Sequence, residues 1–98
     1  MNIEKQHNGT SLTVTLSGPL GGSTAPELEA SLADLGGIEE LTLDLAAALY
    51  ISSAGLRVLL LLHKKMEGQG KMKVKNVSPG AMDIFKMAGF TKFLVIEQ

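Results

Sequence analysis

Ser52 and Ser53 stand where an apolar run, Leu43-Asp44-Leu45-Ala46-Ala47-Ala48-Leu49-Tyr50-Ile51, passes directly into the leucine-rich stretch Ala54-Gly55-Leu56-Arg57-Val58-Leu59-Leu60. A strand, serine, helix order places hydroxyls beside the first unpaired N–H groups of a helix and the positive end of its dipole, where negative charge is stabilised. Two kinds of chemistry fit that placement. The serines can carry or hold a phosphoryl group, or one of them can simply cap the helix. Nucleophilic hydrolysis fits poorly, because a Gly-x-Ser-x-Gly elbow needs glycine two residues before the serine, and Ile51 occupies that position before Ser53.

Few other groups could do chemistry. His7 and His63 are the only histidines, fall on separate elements and have no carboxylate at ligand spacing, so neither a metal site nor a general base is expected. The absence of cysteine excludes a thiolate zinc site, a thiol nucleophile and a disulfide framework. Gly68-Gln69-Gly70-Lys71 has the composition of a phosphate loop, but it follows a helix and precedes a strand, the reverse of the required order, and reads as a helix terminator. Asp44, at the expected end of its strand and near the serines, could help position a phosphate in a partner's active site or satisfy a loop amide. No cofactor is implied.

The elements that must position the serines follow from periodicity. Ile3 to His7 reads as a strand, Asn8-Gly9 as a tight turn, and Leu12, Val14 and Leu16 alternate with Thr13, Thr15 and Ser17 as a second strand wet on one face. Thr24 with Glu27 predicts a capping box for a first helix, whose Ala25, Leu28, Leu32 and Leu35 recur at helical spacing before Gly36-Gly37. Leu41, Leu43 and Leu45 predict a third strand over 39–45, and a second helix runs from about Ser53 to Glu67. Lys71, Lys73 and Lys75 alternate with Met72 and Val74 in a fourth strand, where the outer lysines would discourage edge pairing. Ser78 and Pro79 open a third helix that Gly89 stops, and Phe93 to Ile96 form a last strand. The order is β-β-α-β-α-β-α-β. Alternation in three strands requires one sheet face to be solvated, so an α/β layer with all helices on the other face is expected, parallel and right-handed from residue 39 onward.

At 98 residues and 45% hydrophobic content the chain suits one domain, residues 1–98. A net charge of −1 supplies no basic footprint for nucleic acid. The amino terminus lacks a signal-peptide pattern, and the longest apolar run, Val58 to Leu62, is far short of the roughly 20 residues that cross a bilayer, so a soluble, cytoplasmic protein without membrane insertion is expected.

At roughly 100° per residue, Leu56, Val58, Leu59, Leu62 and Met66 share the buried arc of the second helix, with Gly55 on the same side for close packing or backbone approach by a ligand. Ser53, Arg57 and Lys64 form a stripe opposite, bordered by Leu60 and Leu61. Charges on a solvated face are ordinary, but leucines beside them predict exposed apolar surface suited to a protein partner. Met82 and Met87, off the buried arc of the third helix, are either binding surface or filler at the core margin.

The strand end Leu43-Asp44-Leu45, the tract Tyr50-Ile51-Ser52-Ser53-Ala54-Gly55-Leu56, Gly18-x-Leu20 followed by Thr24-Ala25-Pro26-Glu27-Leu28, and Met87-Ala88-Gly89-Phe90 before the last strand together resemble a STAS domain of the anti-sigma factor antagonist type. The likeness covers nearly the whole chain. It implies a non-enzymatic switch that binds an anti-sigma factor serine kinase, frees the sigma factor, and is turned off when the kinase phosphorylates a serine at the start of the second helix. That position matches Ser53, with Ser52 the alternative. The implied partner contacts are Gly21, Asp44, Ser52, Ala54, Arg57, Leu60, Leu61 and Lys64; the oligomeric state stays open, a monomer being the simplest. The chain departs from the family at Ser52, often aspartate; at Ala54, commonly serine or glycine; at Ala46-Ala47-Ala48, usually a more polar loop; and at Gly21, usually an aspartate associated with the kinase interface. Gly21 favours a second reading, a constitutive scaffold or accessory subunit of a stress-signalling or membrane transport complex that is never phosphorylated.

Overall fold

Alternating leucines on two neighbouring strands set the architecture. In the computed structural model, which describes residues 1–98, the chain runs β1 (Asn2–Asn8), β2 (Ser11–Leu20), α1 (Ala25–Ser31), β3 (Glu40–Ile51), α2 (Ser53–Met66), β4 (Lys71–Lys75), α3 (Pro79–Met87), a 3-10 turn (Phe90–Lys92) and β5 (Val95–Ile96). The strands form one sheet in sequential order, with β1 antiparallel to β2 and every other pair parallel. The expected mixed sheet and element order are therefore present.

Register places Leu12, Leu41 and Met72 in one row and Val14, Leu43 and Val74 in the next, all buried. Leu28 of α1, Val58, Leu59, Leu62 and Met66 of α2, and Phe85 of α3 join these rows in one core, so the helices share one face of the sheet. Each such side chain contributes roughly 2 kcal/mol on burial. The opposite face carries Thr13, Thr15, Thr42 and the β4 lysines, none of them buried. Gly55 lies where α2 crosses the sheet: a Cβ there would sit 2.6 Å from the Leu20 carbonyl oxygen and 2.8 Å from Leu20 Cγ. Close packing is therefore its role. Gly70 is more constrained still, its missing side chain making room for the backbone of Glu39.

Several expectations are corrected. Thr24 forms no capping box: its backbone is helical (φ −105°, ψ −22°), and its hydroxyl accepts from the Gly21 N–H at 2.9 Å while donating to the Pro19 carbonyl at 2.7 Å. α1 ends at Ser31 rather than Leu35, although Leu32, Leu35 and Ile38 stay buried in an irregular segment whose Leu35 and Ile38 carbonyls accept from the Gln69 side chain. The first hairpin turns on Gly9 (φ 64°) and Thr10, with Asn8 paired to Ser11, so Asn8 closes the ladder and glycine takes the strained position. β4 is an edge only in part, because the two-residue β5 pairs with Lys73 and Val74 and leaves Lys71 and Met72 without a strand on that side. Phe93 and Leu94 belong to the connection after the 3-10 turn, so the last strand has two residues, not four.

The largest difference is β3, which continues to Ile51 instead of stopping at Leu45. Thr15 pairs with Asp44 but Ser17 with Ala47, and Gly18 with Ala48 but Leu20 with Ile51, so β3 carries one extra residue at each of two bulges. Each bulge reverses the inward and outward alternation. Ala46 and Ala47 are consequently both exposed, as are Leu49 and Tyr50, while Ala48 packs against the core and Ile51 is buried.

Candidate phosphoacceptor and partner-binding site

The parallel strands β2 and β3 end together, and the loops that leave them bring Gly21 and the two serines to one end of the sheet. The Ser52 N–H donates to the Leu20 carbonyl at 3.0 Å, tying the start of α2 to the last residue of β2. Thr24 locks the other loop through Gly21 and Pro19, as described above.

Within this junction the serines are not equivalent. Ser52 is the N-cap of α2, extended (φ −91°, ψ 176°), with its Oγ accepting from the Gly55 N–H at 3.4 Å and its carbonyl accepting from the Leu56 N–H at 2.9 Å. Ser53 is the first residue of the helix proper, is exposed, and plays no part in the cap. Its hydroxyl is open to solvent at the electropositive end of a 14-residue helix whose first turn contains no acidic residue. Ala54 beside it is half-buried against the core.

Arg57, four residues on and so on the same helix face, is exposed, as is Lys64. Lys64 lies about 16 Å further along the axis than Ser53, so only Arg57 is close to the serine. Leu60 and Leu61 are both half-buried, Leu60 against the core, so the exposed apolar border expected there is absent. The exposed large apolar residues are instead Leu49 (76%), Tyr50 (55%), Met87 (88%), Val95 and Phe93, while Met82 packs against the core margin.

Tyr50 and Gly21 meet directly. A Cβ on Gly21 would lie 3.0 Å from Tyr50 Oη and 3.3 Å from Cε2, so the ring rests over the glycine. Neither Leu49 nor Tyr50 was marked by the sequence reasoning. The available signal was the loss of alternation at Ala46-Ala47-Ala48, which is what a strand with an inserted residue leaves behind.

Asp44 is not part of this group. It faces away from the helices at the level of Thr15 and Lys75, and, with the two bulges allowed for, lies about 20 Å along the sheet from Ser52 at ~3.3 Å per ladder step. Its Oδ1 accepts from the Asn76 amide at 3.0 Å and from the Ala46 N–H at 3.0 Å, closing the first bulge and tying it to the end of β4. The Asn76 hydrogen bond holds the carboxyl below its ordinary value; partial burial opposes this, and the Ala46 N–H and Lys75 assist it. His63 does have a carboxylate within reach, Glu67 at 3.5 Å, and its ring packs on Phe93 at 4.8 Å, but no group of three or more metal-ligating side chains forms. No helix is long and apolar enough to cross a membrane.

Comparison with known proteins bears on the whole chain. The family model described as the STAS domain matches residues 2–98. A curated Bordetella bronchiseptica protein whose name reads as an anti-sigma factor antagonist, BtrV, is 38% identical over 82 residues, 81% of this chain and 71% of that one. A crystal structure of an anti-sigma factor antagonist from Mycobacterium paratuberculosis superposes with a TM-score of 0.87 at 21% identity, covering 98% of this chain and 84% of the other. The phosphorylated form of the Bacillus cell fate determinant SpoIIAA gives a TM-score of 0.77 at 15% identity over 99% of this chain and 92% of its own.

Proposed function

This chain belongs to the STAS domain family, and we propose that it is an anti-sigma factor antagonist: a non-enzymatic, cytoplasmic switch that binds an anti-sigma factor serine kinase and is released when Ser53 is phosphorylated. The observation that carries this reading is the division of labour at the start of α2, where Ser52 caps the helix and Ser53 leaves its hydroxyl exposed.

A phosphoryl group on Ser53 Oγ adds about −1.5 to −2 charges where the helix dipole favours them. The helix therefore tolerates the modification, and Arg57 one turn later offers a cation to hold it. A partner docked over the same turn meets new charge and bulk, which is the basis for release. In the transfer itself the Ser53 oxygen bonds to the γ-phosphorus of ATP, ADP departs, and the hydroxyl proton passes to a base of the kinase.

The test joins mass spectrometry of the protein from its native cell with binding of Ser53→Ala and Ser53→Asp variants to the partner recovered there. Phosphate on Ser53, with binding kept by Ser53→Ala and lost by Ser53→Asp, is the expected result. An unmodified protein whose two variants bind alike would leave an unphosphorylated scaffold in its place, and phosphate confined to Ser52 would move the acceptor by one residue.

A further inference from the structure

We propose that Leu49 and Tyr50, both left exposed at the second bulge of β3, with the Tyr50 ring over Gly21, are the docking element for the kinase that modifies Ser53. This rests on the reading of Ser53 as the phosphoacceptor and adds to it a recognition site on a different element.

Reach identifies the occupant. An enzyme whose catalytic base comes within hydrogen-bond distance of Ser53 Oγ must cover the surface around it. A standard interface takes about 800 Å² from each partner, a patch of roughly 16 Å radius. Leu49 and Tyr50 precede Ser53 by four and three residues, and even a fully extended chain spans at most about 14 Å over four. Both residues therefore fall inside the footprint, whereas Lys64 reaches only its rim.

Chemistry supports the same assignment. Two consecutive large apolar residues, 76% and 55% exposed, lie outside the core of a strand whose earlier leucines are buried. The bulge between Ala48 and Ile51 leaves Leu49 and Tyr50 exposed and Ile51 buried, so the strand ends in the core while presenting two apolar side chains within four residues of the serine. Tyrosine is favoured at the centres of interfaces, because a large rigid ring is desolvated at little entropic cost. Gly21 lies under the ring: a Cβ there would come within 3.0 Å of Tyr50 Oη, so the phenol rests against the glycine on its inner side and stays open to a partner on the other.

The experiment follows phosphate incorporation at Ser53 by mass spectrometry in an extract of the native cell supplied with ATP. It compares the unaltered chain, a Leu49→Ser and Tyr50→Ala double variant, and Met87→Ser, which removes an equally exposed apolar group at the far end of α3. Circular dichroism and thermal melts verify that each chain is folded. The expected result is a fall in initial rate of about tenfold or more for the double variant, with Met87→Ser near the unaltered rate. Equal rates in the double variant and the unaltered chain overturn the docking role while leaving Ser53 as acceptor. Equal losses in both variants overturn it as well, since general apolar exposure then explains the effect. If the unaltered chain takes no phosphate on Ser53, the functional reading fails and the docking role falls with it.

Discussion

The hydroxyl of Ser52 accepts from the Gly55 N–H, and that of its neighbour Ser53 is exposed on the first turn of α2, so one residue type serves two purposes according to backbone conformation. An extended residue can reach over the first amides of the helix, while a residue already in helical conformation cannot. This distinction is measurable. Ser52→Ala should lower stability by about 0.5–1 kcal/mol, the modest end of a capping loss given the long 3.4 Å bond, while Ser53→Ala should stay within about 0.5 kcal/mol of the parent in urea denaturation. Equal effects would show that the cap had been assigned to the wrong serine. Gly21 teaches a related lesson. As a departure from a family pattern it favours an unphosphorylated scaffold, and in the structure its nearest neighbour is the tip of the Tyr50 ring, which a Cβ there would approach to 3.0 Å.

The element that matters most is β3, since its two bulges decide what stands beside the serines. Alternation predicted Leu41, Leu43 and Leu45 as inward residues and failed after them, because an inserted residue changes the phase of every side chain that follows. Asp44 is the fastening of the first bulge. Its carboxyl lies below its unfolded value of 3.8, so its contribution is fully present above that value and is lost as pH falls through the folded one. Asp44→Ala should therefore be less stable than the parent by about 1 kcal/mol at neutral pH, with the gap narrowing as acid protonates the carboxylate in the parent. Denaturant titrations of both chains at pH 7 and in the acid range check this; a gap independent of pH would locate the effect in packing. Leu60 and Leu61 show the limit of an angular reading of α2. A helical wheel gives directions but not the breadth of the sheet and neighbouring helix beneath, and both leucines gain more cover than their angle suggests.

For the molecule as a whole, protection should follow depth in the sheet. β2 and β3 bury Val14, Leu16, Leu41 and Leu43 almost completely, whereas β5 has two residues and neither is buried. Native-state hydrogen exchange should be slowest in the paired amides of β2 and of β3 up to Leu45, and faster by orders of magnitude in β5, which opens without disturbing the core. Comparable protection in β5 would mean that the last strand is part of the global unfolding unit. The fold class, the element order and the junction holding Ser53 and Arg57 were all open to reading from residue periodicity, since burial on one face imposes a repeat of two on strands and 3.6 on helices. The exposed knob of Leu49 and Tyr50, the seat at Gly21 and the separation of Asp44 from the serines were not. They depend on an extra residue in one strand relative to its neighbour, a property of pairing between segments distant in the chain, and only the assembled sheet determines it.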